Sequence, residues 1–166
     1  MHRDEAPALQ GTWLGVLLRF LNWPMRLALG SPLHWPLSGW FLLVSWVGPK
    51  TGKRHAIPVS YVVEVGEVYA TTGDHWWHTA VDAADVNVTL RGHKGPAQII
   101  PVEAGERSAA ELELLFGRHP FFRRFAGIPA MADGRPDPAA VRRSVNAGRA
   151  LLRIDVGLAG EQGFEP

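Results

Sequence analysis

The sequence predicts an α+β fold in which a mostly antiparallel sheet closes into a barrel, with helices on the N-terminal side. Three observations predict it. Short apolar, β-rich runs recur between Phe41 and Val102, joined as hairpins by turns rich in glycine. A helical pattern follows around Ala109 to Phe116, and a last apolar run, Ala150 to Val156, returns late in the chain. A sheet built this way exposes its edges unless it closes on itself, and a barrel removes them. At 166 residues the chain reads as one domain with enough length for a proper core.

The elements follow in order. Residues 1–10 carry Asp4 and Glu5, are expected to be disordered, and do not read as a secretory or transit peptide. Residues 12–29 read as an N-terminal helical segment: a first helix over 12–21, apolar almost all round, then a short one beginning at Pro24. Gly15, Arg19, Asn22 and Arg26 give it one thin polar stripe. Its favoured role is cover over the barrel; a dimer surface and an interfacial membrane anchor are the other two. Phe41 to Val47 is a buried strand ending at Gly48, and Gly48 to Lys53 is a turn by composition. Ile57 to Val65 resumes as a strand, Gly66-Glu67 turns the chain, and Val68 to Thr72 pairs back. His75 to Ala84 reads as helix, Val86 to Leu90 as strand, Arg91 to Gly95 as turn, and Ala97 to Val102 as strand. Ser108, with Glu111 three residues on, predicts the N-cap of a helix over Ala109 to Phe116. Within the aromatic-basic run His119 to Phe125, the Phe121 to Phe125 cluster reads as packing, with a lid or pocket wall as the alternative. Pro129 to Pro138 is a loop, Ala139 to Val145 a short helix, and Ala150 to Val156 the closing strand.

Composition excludes several classes. Hydrophobic residues at 46% and charged ones at 20% describe an ordinary globular chain. A formal net charge of +1 supplies no global field for nucleic acid, so no such partner is expected. Cysteine is absent, which removes disulfides, thiolate metal sites and cysteine nucleophiles, and fits a reducing, cytoplasmic setting. No apolar run reaches the roughly 20 residues that span a bilayer. The longest, Trp13 to Leu29, is broken by Arg19, Asn22, Pro24 and Arg26. Contact with the inner face of a membrane through residues 12–29 stays open.

The motifs narrow the chemistry further. No Gly-x-Ser-x-Gly or Gly-x-Gly-x-x-Gly pattern occurs, and Gly52-Lys53 is followed by Arg54 where a phosphate loop needs Ser or Thr. The most informative stretch runs from Gly48 to Pro58. Two glycines allow a tight turn with free N–H groups, while Lys50, Lys53, Arg54 and His55 crowd positive charge onto it. Such a turn is able to hold a phosphate or carboxylate chain by charge-assisted hydrogen bonds; a solvated hairpin tip is the alternative. His75 and His78 share a helix face, but with no third ligand beyond Asp74 and Asp82 no metal is expected.

The Gly48–Arg54 turn, with Leu42-Leu43 before it and Pro58-Val59-Ser60-Tyr61 after it, resembles the deazaflavin-dependent nitroreductase and quinone reductase family. The likeness continues through Gly73 to His78, with its Trp76-Trp77 pair, and covers about residues 30–102. It implies a split β-barrel of the flavin-reductase and pyridoxamine-oxidase type, and a reductase passing hydride from reduced coenzyme F-420 to a hydrophobic quinone, nitroaromatic or enone. By the same resemblance Lys50, Thr51, Gly52, Lys53, Arg54, His55 and Pro58 bind the coenzyme, Trp76 and Trp77 wall the pocket, and Ser60 and Tyr61 serve catalysis. Tyr61 is the candidate to orient or protonate an acceptor oxygen. Pro49, His55 and Thr79 stand where the family usually has Arg, Arg and Asn. That motivates FMN as the alternative cofactor, and a non-catalytic binder of a flavin-like cofactor, haem or fatty acyl ligand as the alternative function. A homodimer is a further expectation.

Overall fold

A computed structural model describes residues 39–156. The expected disorder of 1–10 and the helical segment 12–29 lie outside them. The described chain runs β1 (Phe41–Val47), β2 (Arg54–Glu64), β3 (Glu67–Thr72), α1 (Trp76–Val81), β4 (Val86–Leu90), β5 (His93–Pro101), α2 (Glu106–Arg118), α3 (Pro120–Phe125), α4 (Pro138–Asn146) and β6 (Ala150–Val156). All six strands pair antiparallel and close in the order β1-β2-β3-β6-β5-β4. This is the α+β split barrel the sequence predicts. The late strand β6 closes it by inserting between β3 and β5, so neither half keeps a free edge.

Strand alternation sorts the side chains into two cores. Leu42, Val44 and Trp46 of β1, Val59 and Tyr61 of β2, Val68 and Ala70 of β3, and Leu152 and Ile154 of β6 fill the barrel. Val62 and Leu151, the alternates, face outward and are covered by Leu112, Leu115, Phe116, Phe122 and Val141 from the helices. Each such side chain contributes about 1.5–3 kcal/mol through burial.

Several boundaries differ from the sequence reading, each for a local reason. β2 starts at Arg54, because ladder pairs run from Phe41↔Ser60 down to Val47↔Arg54; the exposed Arg54 and His55 hide this from hydrophobic patterning. The β2–β3 turn is Val65-Gly66 and not Gly66-Glu67, with φ of 52° and 80° and Glu64 paired to Glu67. Arg91-Gly92 repeats the geometry at φ 48° and 84°, so β5 begins at His93. Two positive-φ residues make the turn whose twist matches a hairpin, and glycine fills one of them at little cost. The α2 cap is Gly105, not Ser108. Ser108 Oγ accepts the Gly105 N–H at 3.1 Å and donates back to its carbonyl at 3.0 Å, which starts the helix three residues early. α1 is shorter than His75–Ala84, and the aromatic-basic run becomes α3, with Pro120 at its first turn.

Two arginines brace the helical layer without a carboxylate among the described residues. Arg123 is buried and donates to the Gly134 carbonyl at 2.7 Å. Arg149 donates to the Ala126 carbonyl, the C-cap of α3, at 2.8 Å. Burial pushes its guanidinium below its ordinary value. The helix C-terminus offers partial negative charge in compensation.

Candidate functional site

The six-residue turn between β1 and β2 is closed by its own backbone. Gly48 N–H donates to the Lys53 carbonyl at 2.8 Å, Gly52 N–H returns to the Gly48 carbonyl at 2.9 Å, and Thr51 Oγ1 accepts the Lys53 N–H at 3.3 Å. Gly48 is required by contact: a Cβ there would stand 2.8 Å from Thr51 Oγ1 and 3.2 Å from His55 Nε2. The result is an exposed turn carrying Lys50 and Lys53, with Arg54 exposed at the first rung of β2. Among the described residues none of these three cations has a carboxylate partner.

Beside the turn stands an aromatic stack. The Val47↔Arg54 register sets His55 directly across from Trp46, and their rings stack at 5.1 Å and 19°. Trp46 in turn lies 5.5 Å from Trp76 on α1. Trp76 Nε1 donates to Thr72 Oγ1 at 3.1 Å, which fixes the start of α1 to the end of β3. Trp77 stacks on His78 at 3.6 Å, and the His75 and His78 rings sit 6.0 Å apart. Among the described residues no third ligand joins them. The indole N–H groups of Trp46 and Trp77 are buried with no acceptor among the described residues. A cleft of about 270 Å³ opens between α1 and β5, lined by Ala80, Val81, Asp85, Val86, Ala97 and Gln98. Its Val86 pairs with Trp46, so the cleft adjoins the stack without reaching the turn.

The structure therefore gathers Lys50, Thr51, Gly52, Lys53, Arg54, His55 and Trp76 at one end of the barrel. It does not gather Ser60 and Tyr61 with them. Tyr61 lies seven residues along β2 from Arg54, about 23 Å at strand rise. Ser60 and Tyr61 are both buried, but adjacent strand residues face opposite ways: Tyr61 joins the barrel interior, and Ser60 shares the outward face with Pro58 and Val62. The Tyr61 hydroxyl accepts from Arg91 Nε at 3.4 Å. Sequence reasoning passed over Trp46, Thr72 and Arg91. Trp46 was within reach, since its pairing with His55 follows once the ends of the six-residue turn are known; the Thr72 and Arg91 contacts carry no sequence signal.

No family model matches the chain, and no curated protein matches it. Among solved structures it is similar to one described as a domain-swapped dimer, at 16% identity and a TM-score of 0.50, covering 86% of this chain and 99% of that one. It also aligns with an F-420-H2-dependent reductase, at 17% identity and a TM-score of 0.45, covering 69% of this chain and 93% of the other. A pyridoxamine 5'-phosphate oxidase-related, FMN-binding protein of Nostoc punctiforme aligns at 10% identity and 0.42, covering 92% and 82%. At these identities the likeness concerns the fold alone, and the fold is the split barrel.

Proposed function

We propose that this chain is an oxidoreductase that binds reduced coenzyme F-420 and serves hydride transfer to a hydrophobic quinone, nitroaromatic or enone. The observation that carries the reading is the β1–β2 turn: three cations without carboxylate partners among the described residues, beside the His55–Trp46–Trp76 aromatic cluster. The residues present fit such a group. Its phosphate and acidic tail suit Lys50, Lys53 and Arg54, with the Thr51 hydroxyl beside them. Its ring carbonyls suit the buried indole donors of Trp46 and Trp77, since a buried donor left unmade costs about 1–3 kcal/mol. When bound, the coenzyme supplies the hydride. The chain's own part is to anchor the anion and to exclude water with Trp46, Trp76 and Trp77.

Titration of the purified chain with the oxidised coenzyme tests this. Each charge-assisted contact is worth about 1.5–3 kcal/mol, so Lys50→Ala/Lys53→Ala/Arg54→Ala lowers affinity by roughly a thousandfold or more. A wild-type chain that does not bind at high coenzyme concentration refutes the proposal. Parallel titrations with FMN and haem decide between the reductase and a non-catalytic binder of another ligand, and tighter binding of either displaces the F-420 reading.

A further inference from the structure

The barrel end opposite the basic turn carries a second, chemically distinct surface. Val65, at the tip of the β2–β3 hairpin, is 97% exposed. Trp40, Phe121 and Phe125 are 48%, 42% and 37% exposed and form one cluster. Trp40 stacks on Phe121 at 4.8 Å, and both Phe121 and Phe125 pack edge-on against the buried Phe41. The tip and the cluster are contiguous, because Glu64, next to Val65, is bonded by His119 at 2.7 Å, and His119 leads into α3. Arg124 shares the helix face of Phe121 and Phe125, three residues from the first. The β1–β4 ladder, continued past Leu43↔Thr89, sets Arg91 level with Phe41, and the exposed His93 and Lys94 follow it. The acids at this end are largely engaged, Glu64 with Arg118 and His119, and Glu67 with Tyr69 and Arg153. Among the described residues Asp155 remains, against the exposed Lys94 and Arg124, which have no carboxylate partner, and the exposed Arg91, which donates to the Tyr61 hydroxyl.

We infer that this end of the barrel docks on an anionic phospholipid bilayer, with Val65, Trp40, Phe121 and Phe125 entering the interface and Arg91, Lys94 and Arg124 meeting headgroup phosphates. Exposed aromatics ringed by arginine and lysine are what an interfacial surface requires, and the exposed Val65 at the hairpin tip extends that apolar surface. The inference stands independently of the reductase proposal.

Flotation of the full chain with phosphatidylcholine vesicles, with and without phosphatidylglycerol, tests it. The wild-type chain floats with the anionic vesicles and less with the neutral ones. Val65→Asn and Phe121→Ser each lower partitioning roughly tenfold, the loss expected for one interfacial side chain. Val65→Asn does so without lowering the thermal midpoint, since Asn tolerates the turn conformation better than Val. Coenzyme titration of Val65→Asn matches the wild type, which separates this surface from the basic turn. Failure of the wild type to float, equal flotation with neutral vesicles, or undiminished flotation of both variants overturns the inference. So does a wild-type dimer in sedimentation that Phe121→Ser dissociates, since a second copy would then own the patch.

Discussion

Tyr69 offers a direct reading of the outer sheet face. Its hydroxyl donates to Glu67 Oε2 at 2.6 Å, while Arg153 Nη1 holds Glu67 Oε1 at 3.1 Å from the neighbouring strand. The hydrogen bond to Glu67, then burial, then the charges of Glu67 and Glu111 push the phenol up to about 12, against an opposing pull from Arg153. The unfolded value is about 10. A shift of this size corresponds to about 2–3 kcal/mol at the 1.36 kcal/mol per unit of linkage. Glu67 and Arg153 are nearly half exposed, at 46% and 43%, and solvent screening reduces the contribution to about 1–2 kcal/mol. The sign follows from a raised folded pKa: the stabilisation is fully present below pH ~10 and is lost as pH rises toward ~12. The chain has two tyrosines, so tyrosinate absorbance resolves them. A spectrophotometric titration of the folded chain shows one phenol ionising near 12, and Tyr69→Phe abolishes that phase. If Tyr69→Phe leaves the high-pH phase in place, or if no phase above about 10.5 exists, the reasoning from the Glu67 contact is refuted.

Further outcomes follow from the same geometry. Hydrogen bonds from His119 and Arg118 hold the Glu64 carboxyl below its ordinary value, so its contribution is present above pH ~4.5 and disappears as pH falls through the lower folded pKa. Glu64→Gln therefore flattens the acid limb of a denaturation-versus-pH curve, and an unchanged limb contradicts the assignment. Gly48→Ala drives a Cβ against Thr51 Oγ1 and His55 Nε2 and costs about 1–3 kcal/mol in urea unfolding. Thr51→Ala in the same chain recovers part of it, and no recovery would mean that the clash lies elsewhere. Phe116, fully buried between α2 and the outer sheet face, costs about 3–5 kcal/mol as Phe116→Ala. A loss under 1 kcal/mol would show that the helical layer is not a packed core.

The sequence by itself determined the elements whose chemistry is local. Alternation in Val86, Val88 and Leu90, the glycine-bearing turns and the late run Ala150–Val156 carried the strands and the antiparallel barrel. The charges on Gly48–Arg54 marked the basic turn. These were legible because turn residues and period-two burial are properties of a few consecutive positions. Only the tertiary structure decided which face of each strand looks inward and which strand β6 joins. Periodicity groups Ser60 with Val62, and Tyr61 with Val59, but nothing local says which group meets the helices. The choice rests on distant residues, Phe116, Phe122 and Val141, that arrive to cover one side. The same holds for Glu64 with His119 and Tyr61 with Arg91, separated by 55 and 30 residues and joined only when the barrel closes. Burial energy without direction fixes the closure, and long-range partners are its product; no pattern read along the chain contains them.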